Sequence, residues 1–307
     1  MPVPEAVLLP FGDRSHIDRL LERLARLVEE GREEEFALLL PSRHLLHAYR
    51  HRLVSRASRR LNLTTFDDLV AAALAGSGQK VVGMGRRLVE EVLWEILEKN
   101  APGLPLLTRG ASRERAGEVA YALGQLRRAK AAPADLGPDP LLAELARVWR
   151  EYEVFMRQRG LADIEEQYAL AGKGLGAIPW LGPVRELHLC WFFDLEPLQL
   201  DILAALSRLV PAVTLWLPWE HPAHFGLLTE ILAGVREMGF TLRREEGGEQ
   251  SELTAALFAL PDRPAATPLV RGLGAPRLGQ EAELVGQEIK ALAAEGVRAE
   301  EICLVIP

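Results

Sequence analysis

Apolar and polar positions follow two rhythms along this chain. Residues 6–11, AVLLPF, form a continuous apolar run, GDRS follows, and a 3.6-residue pattern then runs from His16 to about Glu30. This predicts a buried strand, a tight turn and an amphipathic helix. Residues 36–40, FALLL, form a second apolar run closed by Pro41 and Ser42, and Ser42 is suited to cap a helix continuing to about Arg60. Two strand-helix units in succession predict a parallel sheet. From Phe66 to about Gln167 the spacing is helical, with breaks at 76–85, 101–105 and 131–140, which predicts about four to six helices. Strand character returns at 185–191 and 212–217, separated by a helix over 197–209. A turn-rich loop at 218–225, a helix over 226–238 and a polar connector over 241–264 follow. A last unit begins near Leu269, with a helix over 281–295 and a strand over 302–306. A terminal strand with nothing after Pro307 to pack against predicts a longer natural protein.

Composition narrows the class. With 307 residues and 49% hydrophobic content, the chain can bury two or three cores. No apolar run reaches the roughly 18 residues of a membrane helix, and the N-terminus lacks the basic start of a secretory signal. A cytoplasmic location without membrane contact is expected. Cys190 and Cys303 each lie in an apolar run, so they read as small hydrophobes, with neither a disulfide nor a metal site expected.

The net charge of -7 speaks against a polyanion partner, but its distribution reverses that locally. Residues 37–66 contain no acid and hold Arg43, Arg50, Arg52, Arg56, Arg59 and Arg60, giving +6 against -13 elsewhere. Such a stripe is an electrostatic footprint for phosphates, or else a solvated helix face. His44, His47 and His51 share one face of the same helix, with no carboxylate close in sequence to complete a metal shell. They add to a basic, partly aromatic face for DNA, and no metal is expected. His221 and His224 are weaker candidates still. Two glycine-rich patches, at 76–85 and 171–176, fail as phosphate loops. Neither follows a buried strand, and Val81 and Gly174 stand where a magnesium-binding hydroxyl belongs after the lysine. They read as interhelical loops. Trp94, Trp149, Trp191 and Trp216 read as core, and Trp219 as a stacking or interface residue. No nucleophile-base set appears, and no catalytic residue is expected.

The order of these units resembles the N-terminal motor half of a superfamily 1 helicase of the UvrD type. It most closely resembles the degenerate AddB-type subunits of bacterial helicase-nucleases. FALLLPSRHLLHAYRHRLVSR looks like the family's strand, cap and DNA-touching helix, and LNLTTFDDLVAAAL is similar to the next motif, with Thr65 and Phe66 opening a helix. GLADIEEQYALA resembles the segment that precedes the return to the sheet. LHLCWFFDLEPLQLDIL follows the second ATPase motif, with Asp194, Pro197 and Gln199 at its later positions. The stretch from Gly279 looks like the entry into a second motor domain.

Three departures matter. The first turn, PFGDRSH, offers Gly12, Arg14 and Ser15 where a lysine-bearing glycine loop would cradle phosphates. Cys190 and Trp191 replace the acids that would hold magnesium, a hard cation that prefers oxygen ligands. The third motif reads LPWEHPAHFG, without its Gly-Asp and Gln. The resemblance therefore implies an α/β fold with a P-loop-NTPase-like (RecA-like) parallel sheet flanked by helices, and a large all-α insertion domain. Its parts would be 1–66 and 179–262 for the sheet, 67–178 for the insertion, and 263–307 for the start of a second motor-like domain. It implies a region without ATPase activity that guides DNA, most simply single-stranded, and docks an AddA-type helicase-nuclease subunit in double-strand break repair. The DNA-binding candidates are Ser42, Arg43, His44, His47, Arg50, Thr65 and Phe66. No cofactor is expected in these residues. By the resemblance, Mg2+ and an iron-sulfur cluster would belong to a nuclease centre beyond Pro307. Two other readings are a retired motor fold serving only as a protein-protein scaffold, and an enzyme of another class with an unrecognised site.

Overall fold

The first two apolar runs form β1 (Glu5–Leu9) and β2 (Phe36–Leu39), joined by α1 (Ser15–Glu29). They are seen in a computed structural model that describes residues 3–9, 15–54, 61–78, 81–108, 113–219, 226–245, 274–275 and 277–304. The chain continues through α2 (Arg43–Val54), β3 (Asn62–Thr64), α3 (Phe66–Gly76), β4 (Val82–Gly83), α4 (Arg86–Asn100) and α5 (Arg113–Arg128). Next come α6 (Pro140–Arg159), β5 (Leu161–Ala162), α7 (Ile164–Gly174), β6 (Glu186–Cys190) and α8 (Pro197–Leu209). The last elements are β7 (Ala212–Pro218), α9 (Gly226–Glu237), β8 (Thr241–Arg244) and α10 (Leu278–Ala294). The chain divides into two units, Met1–Phe258 and Ala259–Pro307. Within the second, the described structure is α10 and a 3-10 turn at Ala299–Glu301. The strand expected over 302–306 is absent from residues 302–304, and 305–307 lie outside the described residues.

Six strands form one sheet in the order β3-β2-β6-β7-β1-β8, each neighbouring pair parallel. The fold is thus α/β, with the sheet covered by helices on both faces. Such coverage requires strands apolar on both sides, as the wholly buried β2 illustrates. On one face Phe36, Leu38, Leu40 and Cys190 meet Ile17, Leu20 and Leu24 of α1 and Leu46 and Tyr49 of α2. On the other, Leu39, Leu187, Leu189, Val213 and Leu215 meet side chains of α3, α8 and α9. β8 corrects an expectation, because the 241–264 stretch was read as a connector. Residues 241–244, TLRR, instead pair with β1 at the sheet edge, where two arginines and little burial are compatible with a strand.

Between β3 and β6 the chain is helical but not entirely so, since β4 and β5 pair as a short parallel ladder. This modifies the expected all-α insertion. α4, α5 and α6 enclose a core of their own, with Leu93, Leu97, Leu123, Val148, Trp149 and Tyr152 inside. α3 and α7 contribute Phe66, Leu69, Ala73 and Ala171 to the core of the sheet instead. The two glycine patches mark where α3 and α7 press together. A Cβ on Gly76 would lie 2.6 Å from the Ala177 carbonyl oxygen, and one on Gly174 would lie 2.6 Å from that of Ala73. Glycine is required here for close backbone approach. Gly174 is also the last residue of α7, rather than part of a loop.

An ionic cluster ties α5 to α7 and α8. Arg127 pairs with Asp163 and with Glu166 at 3.0 Å, Arg128 with Glu165 at 2.9 Å and Glu196 at 3.2 Å, and Lys130 with Asp201 at 2.6 Å. Asp163 also caps α7, accepting from the Glu166 amide at 2.9 Å, and receives the Tyr152 hydroxyl at 2.9 Å.

A second polar cluster sits at the start of β6, where α1 crosses the sheet. Glu186 accepts from the Arg23 Nε at 2.9 Å, and its Oε2 lies 3.7 Å from the His188 Nε2. His188 is buried, and its Nδ1 accepts from the Trp216 Nε1 at 3.2 Å, so the ring proton is on the nitrogen facing Glu186. His188 and Arg23 together hold the Glu186 carboxyl well below its ordinary 4.5, at about 2. A carboxylate depressed in the folded state contributes stability that is complete above its unfolded pKa and lost as pH falls through the folded one. The wild type should therefore lose about 2 kcal/mol more than Glu186→Gln between pH 6 and pH 2, allowing for solvent screening at a partly exposed site. Urea unfolding of both proteins across that range measures the difference, and parallel curves would refute the linkage.

Candidate functional site at the C-terminal edge of the sheet

Parallel strands that end together place the following loops and helix N-termini along one edge, the usual ligand position in such sheets. Here that edge gathers the ends of β1, β2, β3, β6 and β7. β2 ends in Pro41 and Ser42, and the Ser42 Oγ accepts from the Leu45 amide at 3.3 Å, so it caps α2 as expected. α2 turns Leu46 and Tyr49 inward and leaves Arg43, His44, His47, Arg50 and His51 exposed on its outer face. Arg43 also reaches across to Asp68 at 2.6 Å, which ties the start of α2 to the first turn of α3.

Thr65 and Phe66 occupy the neighbouring strand end, but both are engaged internally. The Thr65 hydroxyl donates to the Asp68 Oδ2 at 3.0 Å and accepts from the Asp68 amide at 3.2 Å, capping α3. Phe66 is 4% exposed, its ring set edge-on against Phe192 with centroids 5.4 Å apart. They fix α3 in place and present neither a spare hydroxyl nor an open ring face. The expected stacking role at Phe66 is thus replaced by a packing role, because helix α3 turns its first residue into the sheet core.

Ser15 begins α1, while Gly12 and Arg14 lie outside the described residues. At the end of β6, Cys190 is fully buried among Leu38 and Leu40, and burial pushes its thiol well above the ordinary range. It is an inert core residue. Trp191 has φ of 68°, the left-handed region that bulky residues rarely occupy. Such a conformation costs on the order of 1–3 kcal/mol and persists only where the surroundings impose it. Here the indole N–H donates to the Tyr49 hydroxyl, locking the turn against α2. The effect is to direct Phe192 inward and Phe193 and Asp194 outward.

These residues line a cleft of about 740 Å3, walled by Ile17, Pro41, Leu45, Tyr49, Trp191 and Phe193, with Asp18 and Asp194 at its polar positions. Tyr49, Phe193 and Asp18 were not among the sequence candidates. The run WFFD directly after a buried strand was the signal available for Phe193. Asp194 also borders a second cavity of about 390 Å3, where Asp67, Glu165, Glu196 and Arg128 gather. Trp219 is half-buried against the sheet core, and its amide donates to the Leu9 carbonyl at 2.6 Å.

Among the described residues, no group of three or more His, Cys, Asp or Glu could hold a metal ion. No described helix is long and apolar enough to cross a membrane. Comparison with known protein families and with curated proteins finds no match to this chain.

Proposed function

We propose that this chain is a helicase-like region without ATPase activity, which holds single-stranded nucleic acid along the outer face of α2 and docks a motor partner. One observation carries the reading: an exposed stripe of Arg43, His44, His47, Arg50 and His51 rises from a serine-capped helix start at the ligand-binding edge of the sheet. The strand order supports the RecA-like interpretation. β1 and β6, the strands expected to carry the first two motor motifs, end at the same edge with only β7 between them. In an active relative, a phosphate loop and a magnesium-binding acid would converge there. Here the second position is the buried Cys190 and the strained Trp191.

The stripe works through phosphate contacts, which are strong at low salt and fall as counterions compete. Arg50 is its most direct contributor, while Arg43 must share its guanidinium with Asp68. The double variant Arg43→Glu/Arg50→Glu should weaken binding of a fluorescent oligothymidylate about tenfold or more at low salt, and reduce the salt slope by about two. Unaltered affinity in a folded double variant would remove the site. Wild-type protein that binds no oligonucleotide would favour the scaffold reading, with the arginines facing acids of a partner.

A further inference from the structure

We propose that the aromatic cleft between α1, α2 and the turn after β6 is a binding site for an organic cation, an apolar or aromatic body carrying one ammonium or guanidinium head. This goes beyond the nucleic-acid reading and does not depend on it. The cleft's volume of about 740 Å3 is that of a small-molecule site, and it opens at the ligand-binding edge of the sheet.

Its lining specifies the chemistry of the occupant. Ile17, Pro41, Leu45 and Ala48 offer aliphatic surface, and Tyr49, Trp191 and Phe193 offer rings. Phe193 keeps 48% of its surface exposed, a large apolar area beside the opening. Ring faces attract cations through their quadrupole. Asp18 and Asp194 supply the charge. Both are exposed, and neither has a hydrogen-bond or ion-pair partner among the described residues. Elsewhere acids at this edge are engaged, as Asp68 is by Arg43 and Asp67 by the Tyr168 hydroxyl. Two unengaged carboxylates beside three rings favour a cation and repel a phosphate or carboxylate. The turn that places them is held by the Trp191–Tyr49 hydrogen bond, so the walls are set before a ligand arrives.

The test uses the full chain and three probes with nearly the same body: benzamidine (cationic), benzamide (neutral) and benzoate (anionic), titrated calorimetrically at fixed ionic strength. Benzamidine should bind saturably at one site, benzamide more weakly, and benzoate not at all. Asp18→Asn/Asp194→Asn should weaken benzamidine about tenfold while leaving benzamide unchanged, the size of one lost charge-assisted contact. Because both acids are exposed, and only Asp18 stands in a first helical turn where its charge favours the α1 N-terminus, this variant should melt only slightly below the wild type. Phe193→Ala, which removes a wall without charge, should weaken both probes. Benzoate binding as tightly as benzamidine would overturn the proposal, and so would benzamidine affinity unaffected by loss of both acids. Adenosine displacing benzamidine with an affinity indifferent to those acids would assign the cleft to base stacking and equally overturn it. Oligothymidylate binding by Asp18→Asn/Asp194→Asn should match or modestly exceed that of the wild type, because two carboxylates that repel phosphate are gone, whereas loss of the α2 stripe weakens it, which separates this result from the fate of the stripe.

Discussion

Replacing Asp163 with alanine should cost this fold about 3–5 kcal/mol, the range for breaking a buried ion pair from one side. The Asp163 side chain is 5% exposed and that of its partner Arg127 is 13% exposed. Truncation would leave a guanidinium nearly out of water with only Glu166 to face it. It would also remove the α7 cap, worth about 1 kcal/mol, and the acceptor of the Tyr152 hydroxyl, a phenol whose ionisation burial and Asp163 already oppose. Asp163→Asn keeps an oxygen for the cap and should lose less. Arg127→Met with Asp163→Leu, which removes both charges together, should recover much of the loss, because desolvation of the pair offsets most of its attraction. Urea unfolding at neutral pH ranks the variants. A loss below about 1 kcal/mol for Asp163→Ala would show that water reaches the pair.

A loss of similar size is expected at Trp149. It is among the largest fully buried side chains and sits among Leu93, Leu97 and Val148 in the core of α4, α5 and α6. Trp149→Ala should cost about 3–5 kcal/mol through lost burial and the cavity left behind. Its indole nitrogen has no hydrogen-bond partner among the described residues. Trp149→Phe therefore sacrifices volume but no hydrogen bond, and should cost only about 1–1.5 kcal/mol. Equal losses for Phe and Ala would instead reveal a water-bridged indole N–H. The two sites also report on different parts of the molecule. Trp149 lies inside the helical core, whereas Asp163 stands where that core joins the helices on the sheet. If the helical core unfolds separately, Trp149→Ala should produce an early transition that leaves the β1–β7 pairing intact, visible by hydrogen exchange.

The contrast between these two residues shows where sequence reading succeeds. Trp149 sits in a helical apolar pattern and is read as core without a structure. Asp163 sits in GLADIEEQ, where nothing local announces that Arg127, 36 residues earlier, will lie against it. The candidate site divides in the same way. Ser42 and the stripe on α2 were legible, because a cap and a helical face are defined by neighbours one to seven residues away. Thr65 and Phe66 were legible as a helix start but not as buried, since the burial of Phe66 depends on Phe192 arriving from the turn after β6, more than a hundred residues later. Tyr49 in the cleft was hidden for the same reason: it forms a wall only because Trp191 bends back in a left-handed turn to meet it.

By itself the sequence determined the element types: continuous apolar runs for β1, β2, β6 and β7, helical periodicity for the stretch between β3 and β6, and the acid-free arginine window. These follow from side-chain spacing along a single element. Only the tertiary structure decided that β6 and β7 insert between β2 and β1, that TLRR adds an edge strand, and that α4, α5 and α6 form a core apart. It alone brought Asp18, Tyr49 and Phe193 around one cleft. The physical reason is that hydrogen bonding and periodicity are local, while strand order and cavities depend on which apolar surfaces from distant segments bury one another.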